Sequence, residues 1–116
     1  MSNDEITNAL RELQSIITEW SVRKGWMKPG EPRNPLELLM LVNTELSEAA
    51  EAFRAGNPPC PRPGMEHFSH AEEELADAVI RIVQMAGEYG FDLGGAIMAK
   101  MEFNESRPER HGGKVY

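Results

Sequence analysis

The sequence has only one cysteine, Cys60, among 116 residues, so the chain cannot form an internal disulfide. A lone thiol favours a reducing compartment, and we expect the protein to be cytoplasmic. Cys60 lies in the Pro-rich stretch "NPPCPRPG", where it is most simply a loop residue. The stretch "MSNDEITNAL" shows neither the basic nor the apolar segment of an export signal, which agrees with a cytoplasmic location.

Long apolar runs and an excess of basic residues are also missing. The stretches "LELLMLV" and "AVIRIVQMA" are short, and each contains a charged residue. A membrane-spanning helix needs about 18 or more apolar residues in a row, so no membrane association is predicted. The 12 basic residues face 19 acidic ones, giving a formal net charge of −7. That balance argues against nucleic-acid binding and leaves small anionic ligands open.

Helical periodicity is present, and strand-like alternation is not. With 41% apolar residues, the composition predicts one globular domain over residues 1–116, with a core over about 32–107 and a tail over 108–116. Spacing and capping signals predict four helices: about 4–23, 35–55, a third from Ser69 to "EYGFD", and about 93–105. A Pro-rich crossover separates the second helix from the third. We therefore predict an all-α fold resembling a four-helix bundle.

Two acidic pairs stand on the predicted packing faces of these helices. On the second helix, steps of 3, 4, 3 and 4 join Leu38, Leu41, Glu45, Glu48 and Ala52 into one core face. On the third helix, Glu74 and Asp77 share a face with the same spacing of three residues. If the two helices pack side by side, four carboxylates converge.

Unaided convergence of these acids is unfavourable. Two like charges about 4 Å apart repel by roughly 4 kcal/mol at an effective dielectric of about 20, so the group must protonate, separate or bind cations. Oxygen-only ligands suit Mg²⁺ or Mn²⁺. None of His67, His70 and His111 has a Glu three residues before it, which disfavours di-iron chemistry. The acids therefore predict a hard divalent metal site, although single Glu-x-x-Glu pairs are common on solvated helices.

The stretches "ELSE" and "ELAD" resemble the Glu-x-x-Glu … Glu-x-x-Asp signature of the MazG-like all-α nucleoside triphosphate pyrophosphohydrolases. The segment "KMEFNESRPERHGGK" resembles the Lys-x-x-x-Asn-x-x-Arg segment of the same family, at Lys100, Asn104 and Arg107. The similarity spans about residues 32–114. It is closest to compact members such as the dCTP pyrophosphatase branch and phage MazG-like proteins.

The resemblance implies a chemistry and a set of roles. Glu45, Glu48, Glu74 and Asp77 are expected to hold Mg²⁺, with Mn²⁺ as an alternative, and Glu45 or Glu48 to accept the proton of the attacking water. The expected reaction cuts a (d)NTP between its α and β phosphates. The expected assembly is a homodimer or homotetramer. Lys100, Asn104 and Arg107 are expected to bind substrate, and they would share one face if their helix continued to residue 107.

The sequence departs from the family pattern at the base pocket. Some relatives place an aromatic residue four positions after the Asp, where this chain has Arg81, a candidate for pairing with an acid or with phosphate. Trp26 is a candidate for stacking on a base or for plugging the core. Lys114 in the closing stretch "HGGK" is a candidate for contacting phosphate, and His111 is a candidate surface residue.

Two other functions remain open from the residues alone. The amphipathic pattern by itself is compatible with a non-catalytic helical dimerisation module of the same fold. A metal-dependent nuclease is less favoured for two reasons. The net charge is negative, and the sequence lacks the interleaved basic and aromatic residues of a nucleic-acid-binding surface.

Overall fold

The structure is a computed structural model that describes residues 1–108. Its four α-helices are α1 (Asn3–Arg23), α2 (Pro35–Arg54), α3 (His70–Glu88) and α4 (Leu93–Glu105). Over residues 1–108 the backbone forms no strand, and extended pairing is limited to one isolated bridge between Pro59 and Ser69. The predicted all-α fold class is confirmed. None of these helices is long and apolar enough to cross a bilayer.

Local capping chemistry sets the ends of the helices. Ser69 and Glu72 form the predicted capping box, each side chain accepting a hydrogen bond from the backbone of the other. The side chain of Asn34 caps α2, and Pro35 occupies its first position. Gly90, just beyond α3, has a φ of 65°, the left-handed conformation that lets the chain leave a helix.

The α3 helix is central to the packing. It lies along α2 and also packs against α1, whereas α4 packs against α1. Small side chains allow the helices to approach closely, and the buried alanines are Ala49, Ala52, Ala71, Ala78 and Ala86. The close α2–α3 contact brings the two acidic segments to one interface.

The predicted packing face of α2 is wrong at Leu41 and Glu48, which are both exposed. The buried residues of this helix are Leu38, Val42, Glu45, Ala49 and Ala52. A helix of 3.6 residues per turn permits a step of three or four at each turn, and packing against α3 selects Val42 and Ala49. Glu48 consequently lies at the edge of the interface, in reach of solvent.

The apolar stripe of α3 divides between interior and surface. Val83 and Ala86 are buried, but Leu75, Val79 and Ile82 are 47%, 52% and 42% exposed. The α3 helix packs against α2 and α1, and these three side chains form an apolar surface that residues 1–108 leave exposed.

Candidate metal and nucleotide site

Three carboxylates meet between α2 and α3. Glu45 and Glu48 lie one turn apart on α2, and Glu74 faces them from α3; one oxygen from each lies within 4.8 Å of the others. Glu45 and Glu74 are buried, and Glu48 is exposed. The structure thus brings together three of the four acids that the sequence predicts as metal ligands.

Glu74 is the most deeply enclosed of these acids. Burial, followed by the close approach of the Glu48 and Glu45 carboxyls, raises the pKa of Glu74 to about 8. His70 Nε2 lies within hydrogen-bond distance of Glu74 Oε1, at 3.1 Å. The other oxygen, Oε2, is buried and has no hydrogen-bond partner among the described residues. A buried oxygen without a donor is costly, and a hard cation would satisfy it, so the donor set fits Mg²⁺ or Mn²⁺.

Asp77 lies one turn beyond Glu74 and is half-buried. Burial is the main cause that raises the pKa of Asp77, and the negative charge of Glu45 is the next. Among the described residues, Asp77 is outside the group of three oxygens within 4.8 Å, but it lines the same cavity as Glu45. It therefore borders the cluster instead of completing it.

Arg81 forms an ion pair with one of the three acids. Its Nε donates to Glu45 Oε1 at 2.9 Å, where the carboxyl is almost fully buried and the guanidinium is 35% exposed. Of the two roles that the sequence leaves open, the structure shows the pairing with an acid. This contact reduces the net negative charge of the cluster and orients Glu45.

A cavity of about 390 Å³ opens beside the acids. Its walls combine aromatic, cationic and polar side chains, namely Trp20, Trp26, Arg33, Glu45, Asp77, Ile80, Arg81 and Gln84. The rings of Trp20 and Trp26 meet edge to face at 86°, with their centroids 4.8 Å apart. The predicted candidates Trp26 and Arg81 thus lie in one cavity with two of the acids, with a flat apolar wall next to charged groups.

Sequence reasoning missed four residues of this cavity: Trp20, Arg33, Ile80 and Gln84. Gln84 was in principle detectable, because Asp77, Arg81 and Gln84 advance by four and three residues along one face of α3. Arg33 has no such local signal, since its partner Glu88 is 55 residues away in the chain.

Arg33 anchors the segment between α1 and α2 to the end of α3. Its Nε donates to Glu88 Oε1 at 2.7 Å, and its backbone N–H donates to Glu88 Oε2 at 2.9 Å. The hydroxyl of Tyr89 donates to the backbone carbonyl of Arg33. These contacts fix one wall of the cavity to the helix that carries Glu74 and Asp77.

The chain is similar to dCTP pyrophosphatase 1 of Bos taurus, at 31% identity over 107 residues, and to dCTP pyrophosphatase 1 of Homo sapiens, at 30%. The predicted resemblance to the dCTP pyrophosphatases of the MazG-like group is confirmed. Each match covers 88% of this chain and 60% of the relative, so the chain spans about three fifths of the length of the relatives. No family model matches the chain, and no solved structure does.

A second polar group adjoins the acids through His70. Glu73 is held by Arg62, whose Nε donates to it at 2.8 Å, and by the buried thiol of Cys60, which donates at 3.3 Å. The hydrogen bond from Arg62 is the main cause that lowers the pKa of Glu73. Burial raises the pKa of the Cys60 thiol. Glu73 is therefore a paired anion, in contrast to the unpartnered oxygen of Glu74.

The predicted phosphate-binding residues of the last helix lie apart from this cavity. Lys100, Asn104 and Arg107 are absent from its lining, and α4 packs against α1. The prediction that Lys100, Asn104 and Arg107 share one face required the helix to continue to residue 107. The α4 helix ends at Glu105, so Arg107 lies beyond it. Lys100 Nζ lies 4.7 Å from the centre of the Phe103 ring. His111 and Lys114 fall outside the described residues.

Proposed function

We propose that the protein is a Mg²⁺-dependent nucleoside triphosphate pyrophosphohydrolase, which converts a (d)NTP and water into a (d)NMP and pyrophosphate. The observation that carries the proposal is the buried, unpartnered Oε2 of Glu74, clustered with Glu45 and Glu48 at the edge of a Trp-lined cavity. Similarity to proteins named dCTP pyrophosphatase 1 supports this class of hydrolase.

Glu45, Glu48 and Glu74 would hold Mg²⁺ or Mn²⁺, with Asp77 close enough in the sequence of α3 to add a ligand. When bound, the metal neutralises triphosphate charge and makes water a better nucleophile. Glu48 is the best candidate to accept the proton of that water, because it is exposed whereas Glu45 is held by Arg81. The unshared donors of Arg81 would bind phosphate oxygens.

Trp26 would stack on the base, since it lines the cavity beside the acids and is 49% exposed. Lys100, Asn104 and Arg107 would contact the triphosphate only if the α4 helix of a second copy approaches the α2–α3 interface. We therefore propose a homodimer or homotetramer. We also propose that the single domain, with its core at about 32–107, acts in the cytoplasm, where Cys60 stays reduced.

Product analysis tests this proposal. Purified protein is incubated with each dNTP and Mg²⁺ or Mn²⁺, and we expect the monophosphate and pyrophosphate in equal amounts. Glu48→Gln should lower kcat by roughly 10²–10⁴-fold, the usual contribution of a positioned proton acceptor, without loss of helicity. Glu51→Gln is the matched control, because Glu51 is exposed on the same helix and pairs with Arg54.

Release of orthophosphate alone would show that a different bond is cut. Absence of turnover with every nucleotide and both metals would leave the second candidate, a non-catalytic helical dimerisation module. The exposed apolar side chains of Leu75, Val79 and Ile82 favour self-association, which a dimerisation module requires. Calorimetry with Mg²⁺ and a non-hydrolysable nucleotide separates the two, because a module without a site shows no coupled binding.

A further inference from the structure

Gln84 is a buried amide on the wall of the cavity, with only 6% of its surface exposed. Its Nε2 donates to Ser21 Oγ at 2.9 Å, and Ser21 is completely buried. The hydroxyl of Ser21 in turn donates to the backbone carbonyl of Ile17 at 2.7 Å. A serine hydroxyl has one hydrogen, so Ser21 can only accept from Gln84. The chain of contacts therefore fixes the amide nitrogen toward Ser21 and the amide oxygen away from it.

An amide fixed in this way presents a defined pattern to a ligand in the cavity. After the bond to Ser21, one Nε2 hydrogen and the acceptor Oε1 remain for a ligand, both in the plane of the amide. The Trp20 and Trp26 rings supply flat apolar surface in the same cavity, and the acids lie along another part of its wall. Nucleobases are commonly recognised in this way, by stacking on aromatic rings and by hydrogen bonds to their Watson–Crick edge.

We propose that Gln84 selects nucleobases that carry an exocyclic amino group next to an unprotonated ring nitrogen, as cytosine and adenine do. The amino group donates to Oε1, and the ring nitrogen accepts from Nε2. Uracil, thymine and guanine present the reverse pattern, an oxygen next to a ring N–H, so donor would face donor and acceptor would face acceptor. The amide cannot rotate to suit them, because Ser21 is already committed to Ile17.

This inference rests on the proposed function, because the base preference is measured first through hydrolysis. The base preference in binding can be measured separately. The matched substrates are dCTP and dUTP, which share one sugar and triphosphate and differ at the base edge. We expect kcat/KM for dCTP to exceed that for dUTP by about 10–100-fold, the usual discrimination from a two-bond contact to a base edge. The pair dATP and dITP should show the same direction.

Two variants test the residue and its anchor. Gln84→Met keeps the size of the side chain without the amide, and Ser21→Ala keeps Gln84 but releases it. Both should bring the dCTP to dUTP ratio to within about threefold of unity, with circular dichroism confirming the fold. Ser15→Ala is the control, since Ser15 is an exposed serine of the same helix, and its ratio should stay at the wild-type value.

A wild-type ratio near unity, or an unchanged ratio in Gln84→Met, would overturn the inference. An unchanged ratio in Ser21→Ala would overturn the anchoring by Ser21. If no nucleotide is hydrolysed, the proposed function fails, and calorimetry with non-hydrolysable dCTP and dUTP analogues then decides the base selection alone. Preferential binding of the dCTP analogue supports it, and equal or absent binding of both overturns it.

Discussion

Glu74 places a carboxyl group between two helices, where only one of its oxygens has a hydrogen-bond partner within residues 1–108. The neighbouring carboxyls of Glu45 and Glu48 do not supply the missing hydrogen-bond donor, and they disfavour the ionised form of Glu74. A protein that uses such a group only for packing would gain stability by replacing it. The arrangement supports the proposal that a bound cation stabilises this site.

Metal-free protein provides a test of this residue. The folded pKa of Glu74, about 8, lies above the value of about 4.3 for an unfolded glutamate, so the folded chain retains a proton that the unfolded chain releases. The contribution of Glu74 to stability must therefore fall as pH rises from about 4 to 8. We expect Glu74→Gln, which is neutral throughout, to be more stable than wild type at pH 8 by about 1–3 kcal/mol.

Urea unfolding in the presence of a chelator, at pH values from 4 to 8, measures this difference. The advantage of Glu74→Gln should shrink toward pH 4, where Glu74 is protonated in both states. The control variant Glu51→Gln should show no such trend, because Glu51 is exposed beside Arg54. A constant difference between Glu74→Gln and wild type across the range would contradict the raised pKa.

Residues of the cavity divide into those that sequence reasoning can find and those that it cannot. Glu45 and Glu74 stand out because an acid on a predicted packing face conflicts with its surroundings. The partner of Arg81 and the anchoring of Gln84 by Ser21 depend on contacts between helices, the latter across 63 residues of chain. No spacing rule carries that information, since it arises only when two faces pack.

Helices were the most predictable elements of the chain. Ser69, Asn34 and Gly90 act on the backbone next to them, so their chemistry can be read locally, and the observed ends agree with it. Which face of a helix is buried is a property of its neighbours. The α2 face was therefore misassigned at Leu41 and Glu48.

The outer stripe of α3 leads to a prediction about assembly. Leu75, Val79 and Ile82 form an exposed apolar surface on α3, and such a surface favours association with a second copy. We expect wild-type protein to sediment as a dimer or tetramer of the 13.0 kDa chain. Val79→Glu places a charge in the stripe and should yield monomer with helicity retained.

Analytical ultracentrifugation measures this change. Asn8→Glu adds the same charge at an exposed polar position of α1 and should leave the assembly intact. A wild-type chain that sediments as a monomer, or a Val79→Glu variant that assembles as wild type does, would show that this stripe is not the interface.

The whole molecule is more open than its length requires. The radius of gyration is 16.6 Å, against about 13 Å for a compact domain of this size. Within the described residues, α4 packs mainly on α1 and not on the α2–α3 pair. The same arrangement separates Lys100 and Asn104 from the acids, which is why the proposed site takes these two residues from a second copy.

Binding of Mn²⁺ tests most directly whether these carboxylates form a metal site. Titration of the wild-type protein, followed by calorimetry or by the electron paramagnetic resonance of the free ion, should reveal a saturable site. In Glu74→Gln, affinity should fall at least about tenfold, with Glu51→Gln equal to wild type. Equal affinity in wild type and Glu74→Gln, or no binding to either, would contradict the claim that these carboxylates hold a divalent cation.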